Sequence, residues 1–264
     1  MILSAIAIYP IKSTAALDLQ EADIEPRGFR NDRRWMVVDA EGRSVTGRQI
    51  ARMVLIHATP GEEGLQLQAP SMPDLCVRTP GSDAKRLSVT VWDDVVDAAC
   101  AAPEADAWLS EFLGTALRLV TMDPRSERIV EPGPRSQSDE VSFADGYPFL
   151  AISQASLEGL NARLQAPIAM RRFRPNLVVA GCAAHAEDDW QSIRIGDIPF
   201  DVVKTCRRCV FTTVDPERGE RDPNGEPLRT LKTYRRSPEG ITFGMNLIAR
   251  GSGRIRVGDR VESD

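Results

Sequence analysis

From residue 1 to about residue 96 the chain is written as short apolar runs broken by turn residues: LSAIAIYP, RWMVVDAEG, RMVLIHATPG, GLQLQAP, LCVRTPG and LSVTVWDD. In the last run Leu87, Val89 and Val91 alternate with Ser88, Thr90 and Trp92, the period of two that sends successive side chains to opposite faces of a strand. A chain patterned this way is expected to form half-buried strands in a small barrel or sandwich. Residues 103–118 change period, with Ala105, Trp108, Leu109, Phe112 and Ala116 on one helical face and Pro103 near its start, which predicts one helix covering the barrel.

Residues 122–141 (MDPRSERIVEPGPRSQSDEV) are polar, hold three prolines and have no period, which marks a mobile loop between domains or a lid over a site. A boundary is therefore expected near residue 121, with one domain over 1–121 and a second over 122–264. In the second part PFLAI reads as a strand, SQASLEGLNARL as a helix capped by Ser153 or Ser156, and NLVVAG, SIRIGDIPFDVVKTC, CVFTTVD and RIRVGDRVES as strands. The fold class expected is mainly β with a few helices.

Composition removes whole classes of function. With 264 residues, 42% apolar and 27% charged, the chain sits near globular averages, which excludes disordered and low-complexity classes. Its longest apolar stretch, residues 177–184, falls well short of the ~20 residues that a bilayer span needs. MILSAIAIYP lacks a basic n-region and reads as a first strand, not a signal peptide, so a cytoplasmic location is expected. A net charge of −5 with interspersed signs gives no footprint for a nucleic-acid partner. Five cysteines, an odd number, suit free thiols in a reducing compartment. His57 and His185 are the only histidines and neither lies in a recognisable motif, which removes most zinc-hydrolase and Ser-His-Asp readings.

The sharpest motif is Thr205-Cys206-Arg207-Arg208-Cys209. A thiolate beside two guanidinium groups is favoured in its ionised form, the form that binds metal or attacks. A buried pair of small residues is the plainer reading. A thioredoxin-type pair needs a helix N-terminus after a strand, and a four-cysteine zinc site needs a second CxxC, which is missing here. Arg171, Arg172 and Arg174 precede Pro175 and Asn176 at the head of LVVAG, where planar guanidinium forks suit an oxyanion such as phosphate. Lys12 and Ser13, and Asn31-Asp32-Arg33-Arg34, put further polar and cationic groups at loop-to-strand junctions. Asp145 before Gly146 is an ordinary turn residue by itself. His185 with the run Glu187-Asp188-Asp189-Trp190 reads as a solvated turn, and Cys76, Cys100 and Cys182 read as bland thiols.

Taken in order, YPIKS, NDRRWMVVDAEGRSVTGRQ, SFADGYPFLAISQASLEGLN, RFRPNLVVAG, HAEDDWQSIRIGDIPFDVVKTCRRCVFTTVDPERGE, EPLRTLKTYRR and GSGRIRVGDRVES resemble the MOSC-domain family with its N-terminal β-barrel partner, and within it the molybdenum amidoxime-reducing branch. That resemblance implies an N-terminal β-barrel-like domain packed on a C-terminal MOSC β-barrel, with a molybdenum-molybdopterin cofactor in the cleft between them. It implies Cys209 as the metal ligand and a catalytic residue, with Lys12, Ser13, Arg33, Gly146, Tyr147, Arg174, Asn176, Arg207 and Arg208 around the cofactor. Asp145 matches an acidic position beside the metal, where it relays protons or orients a substrate oxygen. Departures from the family pattern are Arg207, where relatives often carry a small polar residue, and Gly146 and Tyr147, where they can carry small hydroxyl residues.

The activity implied is reduction of N-hydroxylated compounds: amidoximes, hydroxylamines and N-hydroxylated bases. No Rossmann GxGxxG and no C-terminal four-cysteine segment is present, so electrons are expected from a separate carrier of ferredoxin, flavin reductase or cytochrome type. The alternative from another class uses the same cysteine: a sulfur carrier with a persulfide on Cys209, or a protein that binds and delivers the molybdenum cofactor.

Overall fold

A computed structural model describes residues 1–130 and 139–264. Its largest sheet is built from both ends of the chain. Strands follow one another across it in the order Leu17–Leu19, Ile2–Ile8, Leu177–Ala180, Phe149–Ser153, Gly240–Ala249, Ile198–Arg207, Ser192–Ile195 and Val261–Ser263, with Arg236–Ser237 paired to the side of Gly240–Ala249. The pairing of Phe149–Ser153 with Leu177–Ala180 is parallel, and the helix Gln154–Asn161 lies on the crossover between them. Ser153 caps that helix by accepting the backbone N–H of Ser156 at 3.1 Å.

One face of this sheet closes over Leu3, Ile6, Phe149, Leu177, Val179, Phe200 and Leu247, all essentially sealed from water. The Phe149 ring meets Phe29 and Phe200 edge-on, with centroids 4.9 and 5.4 Å apart. Each such aromatic contributes ~1.5–3 kcal/mol by burial. Because Ile2–Ile8 pairs directly with Leu177–Ala180, the boundary expected near residue 121 divides the sequence but not the sheets. Residues 1–19 complete the core of the second half.

Glu21–Glu25 and Gly28–Phe29 form a small sheet with the C-terminal strand Gly253–Arg256, and the later N-terminal strands form their own layers. Trp35–Val38, Arg118–Thr121, Asp94–Cys100 and Arg86–Val91 make one sheet, and His57–Gly61, Gly64–Gln68 and Leu75–Arg78 a second. The helix Pro103–Leu113 covers them with Ala105, Trp108, Leu109 and Phe112. It stops at Gly114, whose φ of 74° lies in the left-handed region that glycine enters without strain, so Ala116 falls beyond the helix and is exposed. Leu117, turned inward by the return of the chain, takes the place expected for it.

Two runs expected as strands are partly 3₁₀ turns. Ala51–Leu55, overlapping the start of RMVLIHATPG, buries Met53 and Val54 as a short helix before the strand begins at His57. Val210–Thr213 is wound because the Thr212 and Thr213 hydroxyls donate to the carbonyls of Cys209 and Val210 at 2.9 and 2.8 Å, replacing ladder partners. The expected mobile loop is anchored where it is described: Arg128 is 5% exposed and binds the backbone of residues 142–145, while residues 131–138 lie outside the described residues. No described helix is long and apolar enough to cross a membrane.

Candidate functional site

The strand Ile2–Ile8 ends at Tyr9 and Pro10, and the chain there is fixed by a buried ionic knot. Asp32, fully buried, accepts the Tyr9 backbone N–H at 2.8 Å and pairs with Arg33 Nη1 at 2.6 Å. Arg33 also donates to Asn176 Oδ1 and to the Arg174 carbonyl, both at 3.2 Å. Two guanidinium groups pack on the Tyr9 ring, Arg33 at 4.4 Å and Arg174 at 4.0 Å from its centroid. Burial pushes the Tyr9 phenol up to about 12 despite those charges, and its hydroxyl donates to the Pro175 carbonyl at 3.0 Å.

Three residues of this wall hold left-handed backbone conformations that side chains usually avoid: Ser13 at φ 71°, Arg33 at 50° and Arg174 at 58°. Such strain persists only where the surroundings over-determine it, and it concentrates at binding sites. Arg174 donates Nη1 to the Thr14 carbonyl at 2.6 Å, while its Nη2 is buried with no protein partner. Burial is the main influence on that guanidinium and lowers it to about 10, still charged at neutral pH. An orphaned cationic donor facing a cavity is a place for an anion.

Lys12 extends from the same wall, 4% exposed, and donates to the Phe143 carbonyl at 2.7 Å and to Asp145 Oδ1 at 2.6 Å. Burial pulls its ammonium down to about 8, against the opposing pull of Asp145. The Asp145 side chain is 63% exposed to the water of the cleft. Burial raises its carboxyl, but the Lys12 charge and hydrogen bond, Arg48 and the Trp92 N–H outweigh it and hold it well below the usual carboxylate range. Beneath the loop Arg128 binds the carbonyls of Ser142, Ala144 and Asp145 at 2.8, 2.5 and 3.2 Å, and Asp94 at 2.7 Å.

The opposite wall is the end of the strand Ile198–Arg207, whose register against Gly240–Ala249 shifts between Thr205 and Arg207. Arg208 does not turn toward Cys209. It donates Nη1 to Cys206 Sγ at 2.7 Å and Nη2 to the Phe173 carbonyl, leaving a buried Nε without a partner. Cys209 is exposed, and both thiols are free. The CxxC lies at a strand end before a 3₁₀ turn, away from any α-helix N-terminus of the thioredoxin kind.

The residues that the resemblance implies for the site come together, while Arg171 and Arg34 pair elsewhere, with Asp18 and Glu25. Lys12, Ser13, Arg33, Asp145, Gly146, Tyr147, Arg174, Asn176, Arg207, Arg208 and Cys209 line one cavity of about 110 Å³. It adjoins a larger one of about 870 Å³, with Arg172, Arg174 and Phe211 lining both. The smaller cavity carries seven cationic side chains (Lys12, Arg33, Arg48, Arg172, Arg174, Arg207 and Arg208) against the single carboxylate of Asp145. Asp32 and Asp215, behind the lining, offset Arg33 and Arg172 only. Asn176 also ties the walls, donating to the Ala7 carbonyl at 3.1 Å and accepting the Leu150 N–H at 3.3 Å. The sequence motifs did not point to Arg48, Trp92 or Arg128; no local pattern marks a residue that reaches the site only through tertiary pairing.

Among the described residues no group of three or more His, Cys, Asp or Glu side chains is placed to hold a metal ion. A metal beside Cys209 therefore needs most of its ligands from a group bound with it. Soft thiolate, orphaned guanidinium nitrogens on Arg174 and Arg208, and an excess of cations fit a molybdenum dithiolene centre with a phosphate tail. The smaller cavity alone is too tight for a whole molybdopterin, and the adjoining one supplies the room.

Comparison with known proteins gives the family. Residues 1–116 match the MOSC N-terminal beta barrel domain and residues 138–262 the MOSC domain. The chain is 39% identical to mitochondrial amidoxime-reducing component 1 of Mus musculus, over 96% of this chain and 79% of that protein. It is 37% identical to mitochondrial amidoxime reducing component 2 of Rattus norvegicus, over 98% of this chain and 82% of that protein. For component 1 of Homo sapiens the identity is 35%, over 96% and 80%. With identity of this order along nearly the whole chain and both domains matched, the protein belongs to the MOSC-domain family of the amidoxime-reducing components.

Proposed function

We propose that this protein is a molybdenum-cofactor-dependent reductase of N-hydroxylated compounds that takes its electrons from a separate carrier protein. The observation that carries this reading is the cavity itself, where an exposed thiol faces a lining of seven cations with orphaned guanidinium donors. Arg174, Arg33 and Arg208, with Ser13, Arg207 and the loop at Gly146 and Tyr147, would hold the anionic phosphate and pterin, and Cys209 would ligate the metal. When bound, the cofactor supplies two-electron oxygen-atom chemistry at molybdenum.

The chain's own residues handle the protons. Reduction of an N–O bond to N–H and water consumes two protons. The Asp145 carboxylate, ionised at neutral pH, accepts and orients an N-hydroxyl group. Lys12, bound to it at 2.6 Å with its ammonium lowered to about 8, donates one proton to the oxygen of the N–O bond, and water of the exposed cleft supplies the second. Two of the three ammonium N–H groups are engaged by Phe143 and Asp145, which leaves the third for the cavity. Arg128 keeps the loop carbonyls in place so that the carboxylate does not drift.

The carrier is of ferredoxin, flavin reductase or cytochrome type, since the chain carries no nucleotide-binding glycine motif of its own. Five free thiols support a reducing compartment such as the cytoplasm. An exposed Cys209 also suits a persulfide, but a sulfur carrier gives no role to so many cations. Metal and pterin analysis of protein purified from a host that makes the cofactor decides between them. About one molybdenum per chain, with amidoxime reduction driven by reduced viologen but not by NADH alone, is the expected result; absence of both metal and pterin overturns the proposal.

A further inference from the structure

The strands Arg86–Val91 and Asp94–Cys100 form a hairpin in which Val91 and Asp94 pair, leaving Trp92 and Asp93 as the two-residue turn. Trp92 holds φ at 57°, in the left-handed region where such turns favour glycine or asparagine. The sequence keeps an indole at that strained position. Of the large apolar side chains left exposed among the described residues, Trp92 alone is aromatic, at 54% exposure.

Its surroundings fix the ring in place. The indole N–H donates to Asp145 Oδ1 at 3.3 Å, and the Arg48 guanidinium lies 4.5 Å from the ring centroid and 3.9 Å from Asp145 Oδ2. Arg48 and Asp145 line the cavity that holds Cys209, so Trp92 stands at its rim. Arg48 occupies part of the ring surface, and the exposed remainder faces water beside the carboxylate. A turn held in an unfavourable conformation, bearing an open aromatic surface steered by two site residues, has the features of a binding platform and not of a core contact.

We propose that Trp92, oriented by Arg48 and Asp145, is a substrate platform that selects N-hydroxylated compounds carrying a flat aryl or heteroaryl group. This rests on the reductase reading above and names the substrate class within it. The flat group stacks on the indole while the N-hydroxyl passes Asp145 into the cavity. Aliphatic substrates of the same chemistry reach Asp145 without using the ring.

The test is calorimetric binding to molybdenum-loaded protein with no electron donor present, comparing benzamidoxime with acetamidoxime. Trp92→Ala is expected to weaken benzamidoxime about three- to tenfold, the range of one aromatic pair, and acetamidoxime less than about twofold. Trp92→Phe keeps the ring without the N–H and is expected to retain most of the preference. Should the alanine variant melt early, Trp92→Gly, which relaxes the positive φ, serves the same comparison. Equal losses for both ligands, no loss for either, or a wild type that shows no preference overturns the platform. The reductase reading is read separately, from reduction of acetamidoxime by the loaded wild type with reduced viologen, so either can fail without the other.

Discussion

On the wall built from residues 9–33, Lys12 and Ser13 are 4% and 5% exposed and Asp32 is sealed, while across the cavity Cys209 stands exposed at a strand end whose register has just shifted. The first wall is locked by buried ion pairs and left-handed backbone at Ser13 and Arg33. The second is held by hydrogen bonds: the Arg208 N–H to the Ile241 carbonyl at 2.7 Å, the Arg208 side chain to Cys206 and Phe173, and the Thr212 hydroxyl to the Cys209 carbonyl at 2.9 Å. A group bound between them meets donors already fixed on one side, so little ordering remains to be done on binding. On the other side it meets the exposed thiol of Cys209. Buried ionic contacts and an exposed thiol are assigned to different walls.

The largest expected effect tests the rigid wall. Removing Asp32 leaves Arg33 buried without its counter-charge and frees the Tyr9 N–H, so Asp32→Ala is expected to lower the free energy of unfolding by ~3–5 kcal/mol. Cys209→Ala, at an exposed position, is expected to change it by less than ~0.5 kcal/mol. Urea denaturation of both variants measures the contrast, and similar losses would erase the distinction between the walls.

The exposed wall is tested by metal content. Cys209→Ala is expected to reduce molybdenum retention on the order of 100-fold or more, while Cys206→Ala, which frees Arg208 without removing the ligand, costs about tenfold. Equal depletion in the two purified variants would instead indicate a two-thiol site.

The smallest effect is a pH dependence confined to Lys12. Its affinity for protons in the folded chain, about 8, lies below the ordinary 10.5, so between those values the unfolded chain holds a proton that the folded chain has released. Lys12 therefore opposes folding below pH 8, and its contribution to stability rises with pH across that window. Proton donation runs the other way and fades as pH climbs through about 8. A kcat profile with a falling limb near pH 8 in the wild type, absent in Lys12→Met, is the expected outcome. A limb that survives the substitution would assign the proton to another group.

Much of this molecule is written in local pattern. The alternation of Leu87, Val89 and Val91, the apolar face of Pro103–Leu113 and the Ser153 cap each follow from residues within a few positions of one another. The motifs around Lys12, Arg33, Arg174 and Cys209 were equally legible, and all of them line the cavity. The long strand Gly240–Ala249 was not, because Gly244, at φ 80°, interrupts its period while its two long ladder partners, Phe149–Ser153 and Ile198–Arg207, lie far away in the chain. The winding of Val210–Thr213 and the end of the helix before Ala116 likewise depended on side-chain hydroxyls and a glycine conformation that periodicity does not register.

By itself the sequence determined the strand-rich class and the covering helix, since these depend on neighbours in the chain, and its motifs, taken together as a resemblance, carried the family and the residues proposed for the site. Only the tertiary structure decided that residues 1–19 complete the second half's sheet, that Arg208 binds Cys206 and not Cys209, and that Arg48, Trp92 and Arg128 converge on Asp145. The pairing of Ile2–Ile8 with Leu177–Ala180 and the convergence on Asp145 join positions far apart in the chain, and the Arg208 side chain chooses its partner only once Phe173 is packed beside it, so the geometry is set by how the sheets pack.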